Sequence, residues 1–260
     1  FGKAWYENKK RTLPQREWLA LYQGRPRKEG GNLFKRKHFR LYSTQHHLPE
    51  FDYIIQSLDA AFGGDSSSSY SAMTTWGLAT IPVGNDMKRI FLLLDAWEAD
   101  VSFNKLRQLV ADEYQNEYGP NGKKVDVLVI ENKASGISLA QELQFTGVNV
   151  VKYNIPGGKR APDKEARAHM VSHLVEQGHV YLLESRLRSG EPAEFALPFL
   201  EQVLGFPGGT GRNDYVDTFT QVLRYASERG LLRAAPLVVR PELVKEEPRT
   251  PKLRHNPYLD

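Results

Sequence analysis

Val125-Asp126-Val127-Leu128-Val129-Ile130-Glu131 is a nearly unbroken apolar run that stops on an acid. A strand of this composition has no polar face to offer to water, so both of its faces must be covered, as in sheets sandwiched by helices. The flanking sequence supplies the covers. Upstream, Phe103, Leu106, Leu109/Val110 and Tyr114 recur at helical spacing behind a capping Ser102, which predicts a helix through Tyr118 ended by Gly119-Pro120-Asn121-Gly122. Downstream, Ser135 opens a helix to Leu143, and Val148 to Tyr153 reads as the next strand.

Working outward, three strands are expected at hairpin spacing before this unit: Tyr53 to Leu58, Met73 to Ile81 and Arg89 to Trp97. A polar loop, Gly63 to Ser69, and a turn at Asn85-Asp86 separate them. After the unit come a helix from Asp163 to Gln177 stopped by Gly178, a strand from His179 to Leu183, a helix from Phe195 to Leu204, and a helix from Asp214 to Arg229 stopped by Gly230. The order β-β-β-α-β-α-β-α predicts an α/β fold: a mixed sheet flanked by helices on both faces.

The chain has 260 residues, enough for one large domain or two small ones. It has no Cys, which excludes disulfides, thiolate metal sites and a Cys nucleophile. No apolar run reaches membrane-spanning length, no signal peptide is visible, and there is no internal repeat. Residues 1–40 carry 12 Lys/Arg against 3 Asp/Glu, whereas the remainder carries 23 against 28. A basic arm on a mildly acidic body fits either a polyanion partner or a solvated linker. Arg16 to Tyr22 has the pattern of a short helix. We expect residues 1–45 to be a basic linker packed on the body, 46–235 the main domain, and 236–260 a Pro- and charge-rich tail. The chain opens on Phe1 and reads as a piece of a longer protein.

Three acidic segments far apart in the sequence are candidates for one shared site. Asp59 ends the run Ile54-Ile55-Gln56-Ser57-Leu58, and is either a turn residue or a ligand. Glu131 ends the buried strand, where an unpaired carboxylate is costly. Asp214 and Asp217 open a helix, which suits either the helix dipole or a site. Carboxylates about 4 Å apart repel by roughly 4 kcal/mol per pair at an effective dielectric of 20, so convergence calls for cations. Oxygen donors without His or Cys suit Mg²⁺ or Mn²⁺, and two such ions serve phosphodiester hydrolysis. Lys133, Lys159, Arg160, Lys164 and Arg167 are candidate phosphate contacts, or else solvated surface. Asp126 with Glu131-Asn132-Lys133 imitates a D…ExK nuclease motif, but the two acids share one short strand five residues apart and point to opposite faces.

Several pieces in this order resemble the C-terminal nuclease domain of the large terminase subunit of tailed bacteriophages. They are Ser57-Leu58-Asp59-Ala60-Ala61-Phe62, Ile130-Glu131-Asn132-Lys133-Ala134-Ser135-Gly136, Asp163-Lys164 with Arg167, Phe206-Pro207-Gly208, and Asn213-Asp214-Tyr215-Val216-Asp217. Trp18 to Pro26 resembles the segment that joins motor to nuclease in that family. The resemblance implies an RNase H-like fold and metal-dependent, two-ion cleavage of double-stranded DNA during genome packaging. It carries the catalytic and metal-binding acids onto Asp59, Glu131 and Asp214, with Asp217 auxiliary. The family usually has Asp-Asp before the last helix; here the first position is Asn213. No GxxxxGK[ST] loop occurs, so the ATPase domain would lie elsewhere in a longer chain, with portal and small terminase subunit as partners and the infected host's cytoplasm as the location. Two alternatives remain open: another RNase H-like enzyme of junction-resolvase or transposase type, and a non-catalytic DNA- or portal-docking module.

Overall fold

The six strands expected from the apolar runs lie side by side in one sheet. The computed structural model describes residues 2, 5, 33–43, 47–61, 70–154, 162–209 and 211–232. The strands are β1 (Arg40–Tyr42), β2 (Tyr53–Asp59), β3 (Ser71–Val83), β4 (Asp86–Ala99), β5 (Glu117–Tyr118), β6 (Lys123–Lys124), β7 (Val127–Glu131), β8 (Val150–Tyr153) and β9 (Val180–Leu183). The helices are α1 (Phe103–Tyr114), α2 (Ala134–Phe145), α3 (Lys164–Glu176), α4 (Ala196–Gly205) and α5 (Asp214–Glu228).

The main sheet has seven strands in the order β1-β9-β4-β3-β2-β7-β8. β2, β3 and β4 form an antiparallel meander turned by Gly84-Asn85, where Gly84 takes φ 63°. β7 and β8 add in parallel on one side, and β9 and β1 in parallel on the other. The meander followed by parallel strands crossing back over helices is the RNase H-like arrangement. One consequence fixes the site: β2, β4, β7, β8 and β9 all run the same way, so their C-terminal ends share one edge.

Each face of the sheet has its own core. On one face, α3, α4 and α5 cover Ile55, Trp76, Leu78, Phe91, Val127 and Val129. An aromatic group anchors this layer: the Phe219 ring lies 5.5 Å from that of Trp76 and 5.3 Å from that of Phe199. Phe34 and Phe39, from the basic N-terminal stretch, insert into the same cluster. On the other face, α1 and α2 pack over Leu58, Met73, Leu128 and Ile130. β7 is buried along its whole length, as its composition requires.

Three expectations shift. The helix after Ser102 ends at Tyr114, and Glu117–Tyr118 turn back through Gly119-Pro120-Asn121-Gly122 to pair with Lys123–Lys124. The glycine-rich stretch that was expected to end a helix is the turn of this small hairpin, with Gly119 and Gly122 at positive φ. Strand β1 was not expected; its Arg40-Leu41-Tyr42 is too short to show a period and is held by pairing with β9. The expected helix at Arg16–Tyr22, the loop at 63–69 and the tail at 236–260 lie outside the described residues.

Candidate metal and DNA site

The C-terminal edge of the sheet sets side chains in a row. Asp59 of β2 pairs with Ala72 of β3, which pairs with Glu98 of β4. On the other side Leu58 pairs with Ile130, so Asp59 stands beside Glu131, which pairs with Tyr153. Paired residues share a face, so Tyr153, Glu131, Asp59, Ala72 and Glu98 all point toward the face covered by α5.

Helix α5 is fastened over this row by buried polar contacts. Ser57 Oγ donates to the Thr218 carbonyl (2.9 Å), and Gln221 Nε2 donates to the Val129 carbonyl (2.9 Å) and to Ser57 Oγ (3.2 Å). These bonds satisfy groups that would be expensive to bury unpaired, and they fix the rotation of the helix. That rotation buries Asp217, one turn into α5, to the same 7% exposure as Glu131. Gly136 sets the other wall. A Cβ there would meet the Glu131 carbonyl at 2.3 Å, so only glycine lets α2 start so close to the strand end.

Asp59, Glu131 and Asp217 therefore come from three elements into one electrostatic field. The Asp59 carboxyl is pushed up to about 7 by burial, then by the charge of Asp217, with Glu131 adding and Lys133 and Lys164 opposing. Among the described residues, no hydrogen bond or ion pair reaches the Asp59 carboxylate. Its two neighbours are paired. Glu131 Oε2 receives Lys133 Nζ at 2.7 Å, Asp217 Oδ2 receives Lys164 Nζ at 2.5 Å, and Arg167 spans both acids, 3.1 Å from Asp217 and 3.6 Å from Glu131. For Lys133, burial works against its charge, but the Glu131 hydrogen bond and the three carboxylates outweigh this and raise its pKa. Lys164 Nζ also donates to Asn213 Oδ1 (2.7 Å) and to the Asn213 carbonyl (3.1 Å).

Asp214, expected as the third ligand, is directed elsewhere. Its Oδ2 takes Arg212 Nε at 3.1 Å, and Arg212 also binds Glu98 at 2.7 Å and lies 3.5 Å from the centre of the Tyr70 ring. Asp214 is the first residue of α5, and its side chain engages the segment before the helix; Asp217, expected as auxiliary, is the acid held near Asp59. Arg167 and Lys164, expected on DNA, are bound to carboxylates here. Lys159 and Arg160 lie outside the described residues. Asp126 sits before the opposite end of β7, taking the Ile54 N–H (2.7 Å) and Lys123 Nζ (2.7 Å), so it has a structural role away from Glu131.

Sequence reasoning passed over Glu98, Gln202, Arg212 and Tyr70. Glu98 had a visible signal: it alternates in step with Ala96, which faces inward. Gln202 offered none, because its partners come from β4 and α5, with Nε2 on Glu98 (2.6 Å) and Oε1 taking the Tyr215 N–H (2.9 Å).

The donor set tests what the site can hold. Among the described residues, no three acids or histidines stand together as a ready-made metal cage. The chemistry still fits a hard divalent cation. All the donors are carboxylate oxygens, and Asp59 is an acid whose charge is opposed by two others and met, among the described residues, by no hydrogen-bond donor.

The fold and site together define an RNase H-like α/β protein with an acidic, cation-neutralised centre at the sheet edge. No family model and no curated protein sequence matches the chain. Among solved structures it is similar to the nuclease domain of the phage P22 large terminase, at 13% identity over 77% of this chain and 93% of that one, with a TM-score of 0.48. It is also similar to the large terminase nuclease of thermophilic phage G20c with bound magnesium, at 15% identity over 76% and 98%, with a TM-score of 0.46. The human cytomegalovirus terminase nuclease domain aligns at 13% identity over 74% and 94%, with a TM-score of 0.44.

Proposed function

We propose that this chain is a divalent-metal-dependent nuclease domain that hydrolyses double-stranded DNA, in the manner of a large terminase cutting a phage genome during packaging. The observation that carries the reading is that Asp59, Glu131 and Asp217, from three separate elements, act on one another's charge, with Arg167 bridging the latter two and no described residue donating to the Asp59 carboxylate. A fold gains no stability from such an acid, and a site that takes up cations uses it.

In this reading Asp59, Glu131 and Asp217 would hold a pair of Mg²⁺ or Mn²⁺ ions, with Asp217 taking the role expected of Asp214. Bound ions would neutralise phosphate charge and acidify water for attack on phosphorus. Lys133 lies at the open edge of the site, where a phosphate oxygen would arrive. Arg167 keeps Glu131 and Asp217 at a fixed separation. Among the described residues, the sheet edge carries no base-reading helix, so cleavage would depend little on sequence. Double-stranded DNA is the substrate; an ATPase domain, the portal and the small terminase subunit are the partners of the complete motor, acting in the host cytoplasm. No described helix is long and apolar enough to cross a membrane.

Nicking of supercoiled plasmid in Mn²⁺ tests this reading. Asp59→Asn and Asp217→Asn should each lose at least about 100-fold in rate, the scale on which metal sites respond to lost ligands. Unchanged cleavage by both would end it. A second reading draws on the full pairing of Glu131 and Asp217 with Lys and Arg: a purely structural ion network in a DNA-docking module. It predicts no cleavage in any divalent metal and no Mn²⁺-induced rise in Tm.

A further inference from the structure

The three acids of the site are matched by three bases, and the bases are held unequally. Arg167 is 13% exposed and spans two carboxylates. Lys164 is 24% exposed and its ammonium is held by three oxygens, on Asp217 and Asn213. Lys133 is 56% exposed and, among the described residues, its ammonium pairs with Glu131 Oε2 alone. It lies on the turn between β7 and α2, at the edge where all the parallel strands end. A single ion pair to a half-exposed ammonium holds a long side chain less firmly than the several contacts of Lys164 and Arg167, because one bond opposes the entropy of a flexible stem.

The charge count gives this inequality a use. With Asp59 ionised, three carboxylates and three bases cancel, and the site has no net pull on a phosphate. A pair of divalent cations would leave it four charges positive and would compete with Lys133 for Glu131. We propose that Lys133 is an exchanging side chain: it pairs with Glu131 in the metal-free protein and moves to a DNA phosphate when divalent cations load, so that metal binding and duplex binding are coupled. This rests on the nuclease reading and adds to it the residue that links the two ligands. Linkage is reciprocal, so DNA must raise cation affinity by the same factor.

The test is fluorescence anisotropy of a labelled 20-base-pair duplex at fixed ionic strength, in EDTA and in Ca²⁺, for wild type, Lys133→Ala and Lys133→Arg. Wild type should bind about tenfold tighter in Ca²⁺, within the usual range for linked sites. Lys133→Ala should shrink that gain to about twofold, and Lys133→Arg should keep most of it, because charge and reach are retained. Without DNA, Lys133→Ala should bind Mn²⁺ more tightly than wild type, read by the loss of the free-ion EPR signal, because a competitor for Glu131 has gone. A wild type with no gain in Ca²⁺, or a Lys133→Ala variant with the full gain, overturns the exchange. Plasmid cleavage together with metal-independent affinity would sink this proposal alone and leave the nuclease reading standing.

Discussion

Two ion networks lie along the same sheet edge, two strands apart, and they are built differently. In the one around Arg212, the cation sits between Glu98 and Asp214 and against Tyr70, and Gln202 links Glu98 to the first turn of α5. Each of its carboxylates has Arg212 as a direct partner. In the one around Asp59, three carboxylates are met by three bases, yet one carboxylate has none of them as a direct partner. A closed network stabilises a fold or positions a helix, whereas an open one keeps charge in reserve for a ligand. That contrast separates Asp214 from Asp217, which open the same helix and belong to different networks.

The largest expected effect breaks the comparison at its acids. In plasmid cleavage, Asp217→Asn should fall at least about 100-fold, while Asp214→Asn should stay within about tenfold of wild type, as expected when only one of them holds a reacting ion. Equal losses would erase the distinction between the networks. The next effect lies in the closed network. Arg212→Ala leaves the largely buried Glu98 without its cation and should lower unfolding stability by about 2 kcal/mol, measured in urea. A smaller effect separates the two by pH. The folded-state pKa of Asp59, about 7, lies above its ordinary value of 3.8. Wild type therefore loses stability as pH rises through that window, because the folded state must give up a proton it holds more tightly. In EDTA, Asp59→Asn should melt above wild type at pH 8, and the two curves should meet near pH 4. A constant gap across that range would assign the difference to something other than ionisation. The smallest effect is local: Asp126→Asn should cost about 1 kcal/mol in stability with no loss of cleavage, since its bonds to Ile54 and Lys123 lie at the other end of β7.

Much of this fold could be read from one-dimensional pattern. The buried run at 125–131 marked a strand covered on both faces, and the acids at its end and at the end of β2 stand side by side at the edge of the candidate site. Asp163 and Gly178 bounded α3 by capping chemistry, with the Asp163 side chain taking the Ala166 N–H at 2.8 Å and Gly178 at positive φ. Rotation about a helix axis could not be read in this way. Whether Asp214 or Asp217 faces the sheet depends on Gln221 reaching Val129 and on Ser57 reaching Thr218, contacts between residues up to 161 positions apart. Nor could the pairing of Lys164 and Arg167 with carboxylates be read, because the charge run looks the same whether it faces DNA or a neighbouring helix.

Where cations settle decides between the two networks. Crystals soaked in Mn²⁺ and measured at the manganese absorption edge should give anomalous peaks bounded by Asp59, Glu131 and Asp217, with Lys133 displaced from Glu131. Peaks lodged instead between Asp214 and Glu98, or none at the sheet edge, would contradict it.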